Sequence, residues 1–344
     1  MALTIRVADL GADRELIIDT LRRYLTPLSD NTRFEWLYRS NPYGPAAAWI
    51  AVDNDRGETV GMASAFPRRA VRDGKDERCW VLGDFCIHTH YRTLGPALQL
   101  NRACLSGVDQ GAVAFCYDFP SHQMMAVYRR LGIHPFGQMI RFVKVLRWGR
   151  KLRDVVTVPG IRTGLGILGD IADQRPARRP TPPPGTALAL EDRNCDDAFD
   201  DLDRANRLRF RFYLERSAAY LNWRYRANPL GRYQILAARK GGELQGYAAF
   251  TQTGPDALLT DLFAREDGTT KLLLDELTAL LRARDTVTLS APVLSSHPLV
   301  PQLLRSGFRP RETSPVILYR RPGAEAMEPL AQGGWPLSFG DRDS

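Results

Sequence analysis

The chain has 344 residues, room for two domains of about 150 residues with separate cores. Its hydrophobic content of 44% and charged content of 25% are ordinary for a globular protein, and no apolar run reaches the roughly 18 residues a bilayer span needs. The formal charge of +8 suits a polyanionic partner, whether nucleic acid, an anionic surface or a phosphate-rich cofactor, and singles out none of them. Five cysteines without a CxxC pair argue against a disulfide framework and against a zinc site. With no signal-peptide pattern in Met1–Arg6, a cytoplasmic location is expected.

Along the chain, Leu3–Val7 alternates as a strand, and Asp13–Tyr24 carries Leu16, Ile17, Leu21 and Tyr24 near helical spacing. Trp36–Arg39 reads as the end of a second helix, stopped by Asn41-Pro42. Ala48–Val52 and Thr59–Phe66 form a hairpin around a turn at 53–57, and Cys79–His88 is a long apolar strand. Arg92–Gly95 is a loop into a helix over Pro96–Val108. Ala112–Tyr117 is a strand, Ser121 caps a helix to Leu131, and Met139–Leu146 is a last strand.

The order then repeats. Ala187–Leu190 opens, Asp196–Tyr225 reads as mostly helical, and Gln234–Ala238 with Leu244–Thr251 forms a hairpin. Leu258–Ala264, helix Lys271–Arg284, strand Thr286–Ser290, helix Pro298–Ser306 and strand Val316–Arg320 follow. Trp36-Leu37-Tyr38-Arg39-Ser40-Asn41-Pro42-Tyr43-Gly44 recurs as Trp223-Arg224-Tyr225-Arg226-Ala227-Asn228-Pro229-Leu230-Gly231, six of nine positions identical. Gly61-Met62-Ala63 returns as Gly246-Tyr247-Ala248. Two copies of one unit are the simplest account. Residues 174–185, rich in Pro and Arg, read as an extended linker, and the tail after Arg321 as a surface or disordered segment.

This element order, with Tyr91-Arg92-Thr93-Leu94-Gly95-Pro96-Ala97 between a strand and a helix, resembles the GNAT acyltransferases. The resemblance implies an α/β (α+β) fold of two tandem units, each a mixed, mostly antiparallel sheet flanked by helices. Residues 1–150 would bind acyl-CoA and carry catalysis, 151–185 would link, 186–321 would be a degenerate second unit, and 322–344 a tail. The implied activity is transfer of an acyl group, most simply acetyl from acetyl-CoA, to an amine by direct attack in a ternary complex, with no metal.

The loop has physical support of its own. A helix start leaves N–H groups unpaired and partially positive, and a diphosphate binds there readily. Gly95 admits close approach and Arg92 supplies charge, whereas Pro96 removes one donor. The cofactor-binding set is therefore Arg92, Thr93, Leu94, Gly95 and Ala97, with backbone groups of Cys86, Ile87 and His88 for the pantetheine arm. Ala126–Ile133 resembles the family's Tyr-x-x-x-Gly-Phe pattern, which makes Tyr128 the acid for the departing thiolate. Its apolar neighbours allow a plain core role as well. Asp84, a carboxylate inside an apolar strand, is the base candidate, and it recurs as Asp261. His88 and His90 are runner-up bases, and an acyl-enzyme on Cys86 lacks an activating partner.

The second copy keeps Arg265 and Gly268 but adds Glu266 and Asp267 where a diphosphate would lie, and Leu303 stands for Tyr128. Only the first copy is expected to bind the cofactor. Two other readings remain at this stage: an aminoacyl-tRNA-dependent peptide-bridge transferase of the same doubled build, and a non-catalytic acyl-CoA sensor. The acceptor is expected to be a small-molecule or saccharide amine, with no nucleic acid, held by residues 26–32 and 66–78. Oligomeric state is not legible.

Overall fold

The computed structural model describes residues 3–92, 94–150, 179–321, 323 and 334–342. The first copy runs β1 (Leu3–Val7), α1 (Arg14–Tyr24), α2 (Asn31–Phe34, continued by a π-helical turn Glu35–Arg39), β2 (Ala47–Asp53), β3 (Glu58–Arg72), β4 (Lys75–Ile87), α3 (Leu94–Asp109), β5 (Phe115–Asp118), α4 (His122–Arg130) and β6 (Gly137–Val145). The second runs β7 (Thr186–Leu190), α5 (Asp197–Asn206), β8 (Phe212–Leu214), α6 (Ala218–Leu221, continued by a π-helical turn Asn222–Arg226), β9 (Tyr233–Lys240), β10 (Glu243–Thr253), β11 (Asp256–Ala264), α7 (Asp267–Ala283), β12 (Thr288–Leu294), α8 (Val300–Arg305) and β13 (Arg309–Arg320). Even the π-helical turn after the capped second helix recurs, with Asp30 and Ser217 accepting from Arg33 N–H and Tyr220 N–H.

The copies share one mixed sheet of thirteen strands among the described residues, in the order β1-β2-β3-β4-β5-β13-β6-β12-β11-β10-β9-β7, with β8 on β3. The last strands are exchanged. β6 leaves the first copy and pairs with β12, from Met139↔Leu294 to Val145↔Thr288. β13 pairs with β6 over its first part and with β5 over Ile317–Arg320. The boundary near residue 150 thus separates the sequence copies and cuts across the sheet.

Three cores hold these layers. α3 and α4 cover one face of the first half through Leu100, Cys104, Val127 and Tyr128. α7 and α8 cover the second half through Leu273, Leu277 and Leu303. The third core belongs to both: α1 and α2 meet α5 and α6 over the opposite face. At its centre Trp36 and Trp223 stack, ring centroids 5.1 Å apart, and each indole N–H donates to the other's backbone carbonyl at 2.8 Å. The repeated tryptophan is therefore the joint between copies. Burying such a pair contributes several kcal/mol, roughly 3–5 for each Trp→Ala.

Several expectations change. The stretch 196–225 is interrupted by β8, which extends the first copy's sheet at Ala70↔Leu214. Residues 66–78, expected to be an acceptor loop, are the paired ends of β3 and β4, because Phe66, Ala70 and Val71 bury apolar side chains there. The tail is buried at 334–342: Trp335, Leu337 and Asp341 are at most 1% exposed. Most of the expected linker, 151–178, lies outside the described residues.

Candidate functional site

The first half opens where β4 and β5 part. They pair in parallel only at Cys79↔Phe115, Trp80↔Cys116 and Val81↔Tyr117, while β4 continues to Ile87. A bulge drives the parting. The register jumps from Met62↔Cys86 to Ser64↔Gly83, leaving Asp84 and Phe85 opposite Ala63, with Asp84 at φ +47°. His88 N–H donates to Val60 C=O at 2.8 Å, so by strand alternation the N–H and C=O of Ile87 face the gap. Of the three expected backbone contacts for the pantetheine arm, Ile87 is the one so oriented.

α3 starts at the gap's edge. Leu94, Gly95 and Ala97 lie in its first turn, where N–H groups have no intrahelical acceptor, and Pro96 contributes none. The space over Gly95 is open, since a Cβ there would meet nothing within 4 Å. Exposed Arg92 donates through Nε to Ile87 C=O at 3.1 Å, tying the loop to the strand end. Thr93 lies outside the described residues.

Asp84 is 5% exposed, and both its oxygens are engaged. Arg33 of α2 binds it bidentately at 2.6 and 2.8 Å, and the Tyr38 hydroxyl donates at 2.8 Å. Burial and the Asp84 charge hold the Tyr38 hydroxyl well above its ordinary pKa. The second copy repeats the arrangement: Asp261 accepts from Arg216 at 2.9 Å and Tyr247 at 2.7 Å. A carboxylate so enclosed in both halves anchors the bulge, and the expected proton-accepting role does not fit this geometry.

Tyr128 is fully buried, and its hydroxyl donates to Asp118 at 2.6 Å. Burial, then the Asp118 charge, raise its pKa well above the ordinary phenol value, so it keeps its proton. Asp118 ends β5 at the mouth of the gap, half-buried. Sequence reasoning passed over it, although a carboxylate at a strand end just before the Ser121 cap was the available signal. His88 Nδ1 accepts His90 N–H at 3.2 Å. His90 is exposed and stacks on His88. Burial pushes the Cys86 thiol up to about 12.

The second half has a matching gap: β11 and β12 pair only from Asp256↔Thr288 to Leu258↔Ser290. Here the chain's own C-terminal segment fills it. Ser338 bridges Val293, and Leu294 N–H donates to Leu337 C=O at 2.9 Å. Asp341 then reaches Arg216 at 2.8 Å and Arg68 at 3.2 Å, while its carbonyl accepts from Tyr117 at 2.9 Å. A Cβ on Gly340 would lie 2.1 Å from the Tyr225 hydroxyl, so only glycine allows this fit. The strand gap of this half is thus occupied by the chain itself.

No family model matches the chain, and no curated protein does. Solved structures do match. A probable N-acyltransferase from Enterococcus faecalis superposes with a TM-score of 0.65 at 10% identity, covering 92% of this chain and 72% of that one. A GCN5-related N-acetyltransferase from Anabaena variabilis gives 0.64 at 12% identity, with the same coverage. Saccharomyces cerevisiae N-myristoyltransferase with bound myristoyl-CoA gives 0.59 at 13%, covering 92% and 79%. The chain has the fold of the GNAT-type N-acyltransferases in doubled form.

Proposed function

We propose that the chain is an acyl-CoA-dependent N-acyltransferase, using acetyl-CoA in the simplest case, with its single donor site in the first half. The observation that carries this is the parted β4–β5 pair beside the open start of α3. The diphosphate sits on the N–H groups of Leu94, Gly95 and Ala97 with Arg92 adding charge. The pantetheine arm enters the gap along Ile87 and emerges on the face shared by the two halves, where the amine is held. Five free, buried cysteines suit a reducing, cytoplasmic setting.

The amine nitrogen attacks the thioester carbonyl, and the carbon–sulfur bond breaks. Asp118 takes the proton that the nitrogen sheds. Tyr128 gives its own to the departing thiolate and regains one from Asp118, 2.6 Å away. The net transfer runs from nitrogen to sulfur, and tyrosinate never faces a charged carboxylate. Asp84, held by Arg33, positions the bulge that aims Ile87.

Titration calorimetry of acetyl-CoA into wild type and Arg92→Glu tests the reading. Binding that weakens at least 10-fold in the variant is expected, since one favourable charge becomes a repulsive one. Absence of binding to wild type, or equal affinity in both proteins, removes the proposal.

A further inference from the structure

Only five of the chain's 47 basic residues are lysines, and Lys144 of β6 differs from the others described. Lys75, Lys240 and Lys271 are exposed, whereas Lys144 is half-buried. Its ammonium has three donors, and one is spent, on the Thr278 hydroxyl at 3.3 Å. The Phe308 ring centroid lies 5.8 Å away. Among the described residues no carboxylate pairs with Lys144.

Lys144 lines a cavity of about 400 Å³ together with Asp275, Thr278 and Arg282 of α7 and Arg179 and Thr181 of the segment leading to β7. Positive charge is in excess there. Asp275 pairs with Lys271, and Glu276, next on the helix, pairs with Arg179 at 3.6 Å. Arg282 has no ion pair among the described residues. Burial first, and then the Arg282 charge, hold the Lys144 pKa below the ordinary lysine value, so the two cations feel each other across the cavity. The helix end does not account for them. Leu281 C=O already accepts from Arg284 and Thr286 N–H, at 3.1 and 3.0 Å, and Arg282 C=O from the Arg147 guanidinium at 2.8 Å.

Two cations that repel, with donors to spare and one cavity in common, are matched by an anion. Arg179, on the exposed side, makes a third. A carboxylate has two oxygens for these three cations, whereas a phosphoryl dianion has one for each, and the cavity leaves room for the group that bears it. We infer that the cavity between β6 and α7 binds a phosphate monoester, its phosphoryl oxygens on Lys144, Arg282 and Arg179. The site belongs to the second half, away from α3 and the β4–β5 gap, and it stands independently of the acyltransferase reading.

Pyridoxal 5′-phosphate is the probe, and pyridoxal, which lacks the phosphate, is its control. Either aldehyde condenses with a neutral amine, forming an imine and releasing water, and borohydride then adds hydride and fixes the adduct. Peptide mapping reads the label on each lysine. At limiting probe, Lys144 should take most of the pyridoxal phosphate, and inorganic phosphate should protect it. The ratio of phosphate-bearing to phosphate-free label on Lys144 should fall about 10-fold in Arg282→Met, the loss expected for one charge-assisted hydrogen bond. Taking the ratio cancels any change in the amine's own reactivity. Arg179→Met, at an exposed position, should lower the ratio too, and it decides the matter if Arg282→Met does not fold. Label spread over the exposed lysines overturns the inference. So does a Lys144 that takes both aldehydes equally, or a ratio that neither phosphate nor substitution moves.

Discussion

Replacing Arg33 by methionine tests whether the buried ion pair holds the bulge. Both side chains are at most 4% exposed, and the guanidinium makes hydrogen bonds of 2.6 and 2.8 Å to the two Asp84 oxygens. Methionine keeps an apolar stem, so packing is largely retained, and the main loss is charge compensation. Asp84 would be left with the Tyr38 hydroxyl alone. Removing one partner of a buried pair costs about 3–5 kcal/mol, because the remaining charge is stranded in low dielectric. Asp84→Asn strands the guanidinium and should cost a similar amount. The double variant has no stranded charge and should lose at least ~2 kcal/mol less than the sum of the single losses. Urea unfolding followed by tryptophan fluorescence measures all four proteins. A single variant losing under ~1 kcal/mol, or additive losses, would refute the reasoning, since either would mean that water already reaches Asp84.

Burial holds the His297 imidazole neutral down to about 3, with Nδ1 accepting Leu299 N–H at 2.9 Å. The unfolded ring titrates near ~6.5, so below that pH the unfolded state binds the extra proton and stability falls, by about 2 kcal/mol at pH 5 relative to neutral pH. His297→Asn should lose this component between pH 7 and 5, and an unchanged pH slope in denaturant midpoints would contradict it. With its thiol pushed up to about 12, Cys86 is about one part in ten thousand thiolate at pH 8. All five cysteines are buried, so a thiol reagent should label none quickly until denaturant is added. Rapid labelling of one thiol in the native protein would restore an acyl-enzyme route.

The element order and the repeat were legible because they are local. Apolar spacing marks α1, α3 and α7, and the Trp-x-Tyr-Arg-x-Asn-Pro pair announces two equivalent places. What was not legible depends on partners far along the chain. Asp84 reads as a candidate base until Arg33, from a separate helix, closes on it. The exchange of β6 and β13 leaves no mark, because an alternating strand reads the same whichever neighbour it joins. The tail has no period to detect, since Trp335, Leu337 and Asp341 are buried one by one by residues from both copies. Tyr128 stands out in the sequence through its pattern, whereas Asp118, which accepts its hydroxyl, belongs to no repeat.

The strand exchange makes each half a structural requirement of the other. β5 needs β13 along its open side, and β6 needs β12. Neither copy closes its own sheet, so loss of the second would leave paired edges and the shared tryptophan core exposed. A chain segment laid into the second gap is a tethered occupant, whose effective concentration is high and constant. The segment then continues past Asp341 to Phe119.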